Sequence, residues 1–388
     1  MHKMLRTFLP IGHGGFYTEL FQLDNGEKIN VVYDCGATSK KLLESHIEHH
    51  FQKDEVIHAL FISHLHDDHI NGIPKLLKHC KVKNIFFPLL TEREHTLSAL
   101  YNAVNSKDEF SIKFALDPSG TLLSQAGAEE TMLYAVKELD ENGDSKQISN
   151  EISNDFSMER SRQRIFQSGE DAAGIILGAC AKATSSFDWI FRPFNFKHLN
   201  RLKALESALE DEFGETLNND ELKEIWEKND ATEMGRVKKV YAMWKGHNIY
   251  SMTLYSGLKA SSCNQYLAPT YRWCYYPIKG FGYYIKEVGC LYTGDYEAKK
   301  PDEWKELSDA YRDVWDYIGC VQIPHHGSIH NYHDKFADID AFFMVSAKYG
   351  DIKHPASYVI KHLLLNDRPL FVVTEKKISR IDLRVDIP

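Results

Sequence analysis

Four side chains able to bind a metal ion stand within six positions: His64, His66, Asp68 and His69, in the run His64-Leu65-His66-Asp67-Asp68-His69. Imidazole nitrogen and aspartate oxygen both suit zinc, manganese or iron. In a turning loop, His64 and His66 can converge on one ion while Asp68 and His69 face a second. Two ions about 3.5–4 Å apart can hold a hydroxide between them and polarise an ester or phosphodiester oxygen. The bland alternative is a histidine-rich surface loop. It fits poorly with so dense a set directly after the apolar run Val56–Ile62.

The elements around this run must hold it in place. Thr18–Leu23 and Ile29–Tyr33 read as strands joined by a turn at Asp24-Asn25-Gly26, and the second ends at Asp34-Cys35-Gly36. A helix after Ser39 would bury Leu42, Leu43 and Ile47. Val56–Ile62 reads as one strand covered on both faces, Pro74 opens a helix, and Asn84–Phe87 is the next strand. From about Thr91 to Gly246 the chain is charged and largely helical in pattern, as in Leu199–Phe213 and after Asn219. The Asp140–Asp155 stretch reads as an exposed loop. Strands return at Ile249–Tyr255, Gly289–Tyr292, Cys320–Ile323, Ala341–Ser346 and Pro369–Thr374. Polar and histidine residues repeatedly sit just past strand ends, where sheet enzymes keep their chemistry.

Composition narrows the class. The 388 residues carry 46 Lys+Arg against 55 Asp+Glu, a net charge of −9, which argues against coating nucleic acid by bulk charge. At 43% hydrophobic content, the chain as a whole is a folded one. Its apolar runs are too short to cross a bilayer. Its seven cysteines are odd in number and scattered, with no C-x-x-C pair, which predicts buried free thiols. With no signal-length apolar core near Met1, the expected location is cytoplasmic.

The H-x-H-x-D-H pattern of residues 64–69 resembles the signature of metallo-β-lactamase-fold hydrolases. Asp34-Cys35-Gly36 looks like that family's early aspartate at a strand end. Thr293-Gly294-Asp295, His325-His326-Gly327-Ser328 and His354-Pro355-Ala356-Ser357 are similar to the branch containing the hydrolase domain of bacterial DNA-uptake (competence) proteins. Ile11–Gly15 and Asn248–Leu254 also resemble that branch. The resemblance implies an α/β (α+β type), four-layer αββα sandwich forming a single domain over 1–388. Its core would span about 5–90 and 248–388, and about 91–247 would be a helical insertion or lid.

The resemblance also implies roles. His64 and His66 bind the first of two divalent ions, Asp68 and His69 the second, and Asp295 bridges. His325, ahead of His326, completes the second ion, with His326 behind it. Asp34 orients the loop from beneath. A third histidine for the first ion falls among His79, His95, His198 and His247, with His198 foremost. Asp68 and His354 stand as catalytic residues; substrate contact or a plain loop role stays open for His354. His13 is a candidate phosphate contact, and Ser328 reads as a helix N-cap rather than a nucleophile. Zinc is the first choice of metal, with manganese or iron as alternatives.

The implied activity is phosphodiester hydrolysis of nucleic acid or nucleotides by a metal-bound hydroxide. An ester, lactone or thioester hydrolase is the first alternative; β-lactam hydrolysis fits less well without an export signal. A partner-binding subunit with a regulatory or vestigial metal site is another. The middle region could dock a protein partner. Lys197–Lys203 and Arg236–Lys239, with Tyr241 and Trp244, offer either a phosphate-tracking, base-stacking face or, as the preferred reading, a solvated helix face.

Overall fold

The computed structural model describes residues 2–106, 108–138, 162–178, 189–243, 248–259, 267–269 and 287–387. In chain order, strands β1 (His2–Phe8), β2 (Gly14–Gln22) and β3 (Lys28–Ala37) lead to helix α1 (Lys40–His50). Strands β4 (Val56–Ile57) and β5 (Ala59–Phe61) follow, then α2 (Asp67–Ile70) and α3 (Ile73–His79). Next come β6 (Lys81–Val82), β7 (Asn84–Pro88), α4 (Glu92–Asn105), α5 (Glu109–Leu116) and α6 (Pro118–Leu123). The middle continues with β8 (Met132–Lys137), β9 (Gln163–Gln167), α7 (Ala173–Leu177) and β10 (Trp189–Lys197). Helices α8 (Leu199–Phe213), α9 (Asn219–Glu227) and α10 (Ala231–Met243) precede β11 (Tyr250–Leu258), β12 (Leu267–Pro269) and β13 (Gly289–Tyr292). Helix α11 (Pro301–Ala310), β14 (Ile318–Gln322), β15 (Phe342–Ser346), α12 (Ser357–Leu365), β16 (Leu370–Val373) and β17 (Ile381–Ile387) close the fold.

Among the described residues, the strands form a nine-stranded sheet, β12-β17-β1-β2-β3-β5-β7-β8-β9, and a six-stranded sheet, β10-β11-β13-β14-β15-β16. Phe21, Tyr33, Phe61 and Phe86 of the first sheet meet Trp189, Met252, Tyr292 and Met344 of the second in one apolar core. On the outer face of the first sheet, Leu43 and Ile47 of α1, Leu76 of α3 and Phe114 of α5 cover Val32, Leu60 and Ile85. On the outer face of the second, Leu307 of α11 and Val359 of α12 cover Leu291, Val321 and Phe343. This is the four-layer αββα sandwich expected from the motifs.

Two expectations are corrected. Val56–Ile62 is not one strand: His58 interrupts it, donating its N–H to the Asn30 carbonyl at 2.8 Å and accepting from Asn30 N–H at 3.2 Å. The short piece β4 therefore pairs with β6, and only β5 joins the main sheet. The range 91–247 is likewise not helical throughout. Strands β8 and β9 extend the first sheet, and β10 pairs with β11 over nine residues of each. Trp189 and Phe191 of β10 enter the inter-sheet core while Ile190, Phe194 and Phe196 enter the outer one. A strand apolar on both faces carries no alternation to announce it. The helices α4, α8, α9 and α10 do form their own bundle, through Leu100, Leu205, Leu222, Ile225 and Val240.

The four cysteines within the described residues, Cys35, Cys80, Cys290 and Cys320, are buried free thiols. Cys180, Cys263, Cys274, His247, Trp244 and the Asp140–Asp155 stretch lie outside those residues. No helix among the described residues is long and apolar enough to cross a membrane.

Candidate metal centre

Leu65 is the anchor of the 64–69 loop. Its side chain is fully buried, its N–H donates to Tyr250 Oη at 3.3 Å, and its carbonyl accepts from Asn102 Nδ2 at 2.8 Å. With Leu65 facing the core, the extended backbone turns His64 and His66 the other way. The single turn of α2 then carries Asp67, Asp68 and His69. Asp67 is tied down separately, accepting from Ser111 Oγ at 2.8 Å and Asn71 Nδ2 at 3.1 Å.

Asp34, among the last residues of β3, lies beneath this loop with a left-handed φ of 56°. Its Oδ1 accepts from Ser63 N–H at 2.7 Å, and its Oδ2 accepts from Ser63 Oγ and His69 Nδ1, each at 2.8 Å. Two residues on, Gly36 runs so close to α2 that a Cβ there would stand 2.4 Å from the His69 backbone. Asp295 comes from the turn after β13, which Gln322 of β14 clamps. Thr293 N–H and Gly294 N–H both donate to Gln322 Oε1 at 2.8 Å. The turn after β14 holds His325 and His326 at φ of 47° and 54°. Strained backbone of this kind costs on the order of 1–3 kcal/mol per residue and gathers at functional sites.

Four imidazoles are pinned through Nδ1 by a hydrogen-bond acceptor. His69 Nδ1 donates to Asp34, His326 Nδ1 to the Ser346 carbonyl at 2.9 Å, and His325 Nδ1 to Asn331 Oδ1 at 3.0 Å. Ser63 Oγ gives its proton to Asp34 and so accepts from His64 Nδ1 at 2.9 Å. Every one of these rings therefore turns Nε2 inward. His64 Nε2 and His69 Nε2 each lie 3.5 Å from Asp295, His325 Nε2 lies 3.7 Å from it, and His326 Nε2 lies 3.4 Å from Asp68. His66 packs beside His64, with ring centroids 4.7 Å apart, and stacks on Tyr101 at 3.9 Å.

Two groups of potential ligands result, His64–His69–Asp295 and Asp68–His69–His326. Both His325 and His326 thus face site carboxylates. His326 stands opposite Asp68 rather than behind its neighbour. His354 lies at the rim, grouped with His13 and Asp351.

The charges explain what the arrangement asks for. Burial, reinforced by His69, pushes His64 well below the ordinary histidine value, and burial takes His66 down to about 4. Burial opposes charge on His69 too, but Asp34, Asp295 and Asp68 push it up to about 10. Burial would raise Asp295, yet His325, His64 and His69 hold it below the usual carboxylate range. His64 Nε2, His69 Nε2 and Asp295 Oδ1 are buried without a hydrogen-bond partner. Leaving such atoms unmet costs about 1–3 kcal/mol each. Inward lone pairs around a carboxylate fit a divalent cation.

Among the described residues, the third-histidine candidates His79, His95 and His198 join neither group. His79 is bonded to the Phe51 carbonyl at 2.9 Å and His95 to the Ala115 carbonyl at 2.8 Å. His198 is buried against Tyr296, its pKa pushed well down by burial and then by Arg201 and Lys300. Asn248 is at the centre instead, donating from Nδ2 to Asp295 Oδ2 at 3.3 Å with its Oδ1 buried and unmet. Sequence reasoning gave Asn248 no role beyond opening a stretch that resembles the competence branch, and passed over Gln322 and Asn331, whose only signal was proximity to the motifs. Ser328 is not a helix N-cap; it follows the His325–Gly327 turn and accepts from His330 N–H at 3.2 Å.

Residues 20–117 match the sequence profile of the metallo-beta-lactamase superfamily. That segment carries the 64–69 loop and Asp34. Superfamily members usually bind divalent metals, in keeping with the two groups of ligands. Over 59 residues the chain is 42% identical to ribonuclease BN of Proteus mirabilis (strain HI4320), a stretch covering 15% of this chain and 18% of that protein. Among solved structures, a long form RNase Z from yeast aligns over 90% of this chain and 37% of its own, with a TM-score of 0.35 and 9% identity. The chain thus spans well under half the length of either.

Proposed function

We propose that the protein is a metal-dependent hydrolase of phosphodiesters, acting on nucleic acid or nucleotides. The observation that carries the reading is the convergence of four Nδ1-pinned imidazoles on Asp68 and Asp295. The competence-branch motifs and the stretch shared with a ribonuclease support the choice of substrate. In this reading His64, His66, Asp68, His69, Asp295 and His326 would hold two divalent ions, zinc or manganese. Bound there, the ions would supply Lewis acidity toward water and toward the phosphoryl oxygens.

The chain's own groups do the rest. Asp34 keeps His69 in the Nδ1–H form, so its Nε2 stays a ligand. Asp68, half-buried beside His326, takes up a proton from the attacking water. His354, at the rim beside Asp351, passes a proton to the leaving oxygen. Burial, with His326 and His325 nearby, lowers its pKa, so the ring carries that proton only below the ordinary histidine range. The helices within 91–247 form an insertion bracing the loop from outside.

The test is metal content per chain, beside hydrolysis of bis(p-nitrophenyl) phosphate with zinc or manganese. The wild type should hold metal and turn over, and Asp68→Ala/His69→Ala should lose both. A metal-loaded wild type that hydrolyses no diester with either ion would overturn the proposal.

A further inference from the structure

We infer that the loops at 347–353 and 374–380 form a docking tract for single-stranded nucleic acid, leading it into the centre past His13 and His354. This rests on the phosphodiesterase reading and names its substrate class. The loops follow the C-terminal ends of β15 and β16, neighbouring parallel strands, so both leave the sheet on the same side. Tyr349 N–H donates to Glu375 at 2.8 Å, and the Lys376 ammonium lies 5.1 Å from the Tyr349 ring centroid. That ring is 65% exposed, and Ile352 beside it is 93% exposed.

Charge favours the tract. Lys348, Lys353, Lys376 and Lys377 are exposed, and among the described residues none forms an ion pair, in a chain of net charge −9. Lys203 and Lys238 aside, the basic stretch of the middle region is spent internally. Lys197 pairs with Glu94 and Glu138, Arg201 with Glu297 and Glu303, and Lys239 with Glu212. The tract's own carboxylates are engaged locally: Glu375 by Tyr349, and Asp351 by the N–H groups of Lys353 and His354. The tract also runs into the centre. Asp351 Oδ2 lies 3.2 Å from His13 Nε2 and 3.8 Å from His354 Nδ1, and the His13 ring stacks on His326 at 4.7 Å. An open aromatic face amid unpaired ammonium groups suits an unstacked base and its flanking phosphates. A duplex, with its bases already stacked, offers that face nothing.

Fluorescence anisotropy with a labelled oligothymidylate of about 20 nucleotides and with a matching duplex tests this. Tyr349→Ala should weaken single-strand binding by about tenfold. Lys348→Gln/Lys376→Gln should lower the salt slope of log K by about 1.4, at roughly 0.7 per lost phosphate contact. Melting temperatures confirm that both variants fold. Single-strand binding unchanged in both, or a duplex bound as tightly as the single strand, would overturn the tract. Hydrolysis of bis(p-nitrophenyl) phosphate reads the reaction separately. If the wild type binds through Tyr349 yet cleaves no diester, the tract stands and the reaction assignment falls.

Discussion

Asp34 shows how much one buried carboxylate can determine. It holds Ser63 through two bonds and His69 through a third, and Ser63 in turn fixes His64. Asp34→Asn keeps the shape but offers an amide nitrogen where His69 Nδ1–H needs an acceptor. Groups that orient metal ligands in this way are worth about 10–100-fold in affinity. Zinc or manganese titration of Asp34→Asn should show a loss of that size with little change in secondary structure; wild-type affinity would remove Asp34 from the centre. Gly36→Ala acts on the same loop by volume, since its Cβ would stand 2.4 Å from the His69 backbone. Overpacking of this kind costs about 1–3 kcal/mol, to be read as a lowered denaturant midpoint.

At the scale of elements, the two sheets are joined by the hydrogen bonds of a buried ion pair in the first sheet as well as by apolar packing. Arg6 of β1 pairs with Glu19 of β2 at 2.7 Å and reaches across to the Val288 and Ser256 carbonyls at 3.2 and 3.4 Å. Glu19 accepts in addition from Tyr292 Oη at 3.0 Å. Removing one partner strands the other charge, so Arg6→Ala should cost about 3–5 kcal/mol by chemical denaturation. Helix α4 braces the centre from outside through Asn102 and Tyr101, four and three residues past Ser98, which meets Tyr250 Oη at 2.9 Å. The contact between β2 and α1 should be pH-sensitive. His50, bonded to Thr18 Oγ1 at 2.9 Å, is pushed by burial down to about 4. A folded-state pKa below the unfolded one, about 6.5, means stability is intact above pH 6.5 and falls as pH drops toward 4. His50→Gln should flatten the pH dependence of unfolding in that window; an unchanged slope would show that other groups carry it.

For the whole molecule, a centre built from both sheets would make metal binding and folding one equilibrium. Ions that bind only the folded chain at a hundred times Kd add about 2.7 kcal/mol. Zinc or manganese should therefore raise the wild-type melting temperature but not that of Asp68→Ala/His69→Ala, and a chelator should reverse the gain. Much of this was legible in the sequence. The 64–69 spacing, Asp34 ahead of Gly36, Asp295 and the histidine pair past later strands are local patterns, and the αββα layering was what the resemblance they carry implied. Helix α8 spans the same residues, Leu199–Phe213, that the apolar spacing marked. Other features depend on contacts between residues far apart in the chain. The break at His58 is made by Asn30, and β10 is a strand because β11 pairs with it. Asn248 reaches the centre only because the second sheet brings Asp295 to it. Lys348, Lys353, Lys376 and Lys377 form no ion pair among the described residues while Lys197 and Lys239 do, since packing decides which carboxylates come within reach of which cations.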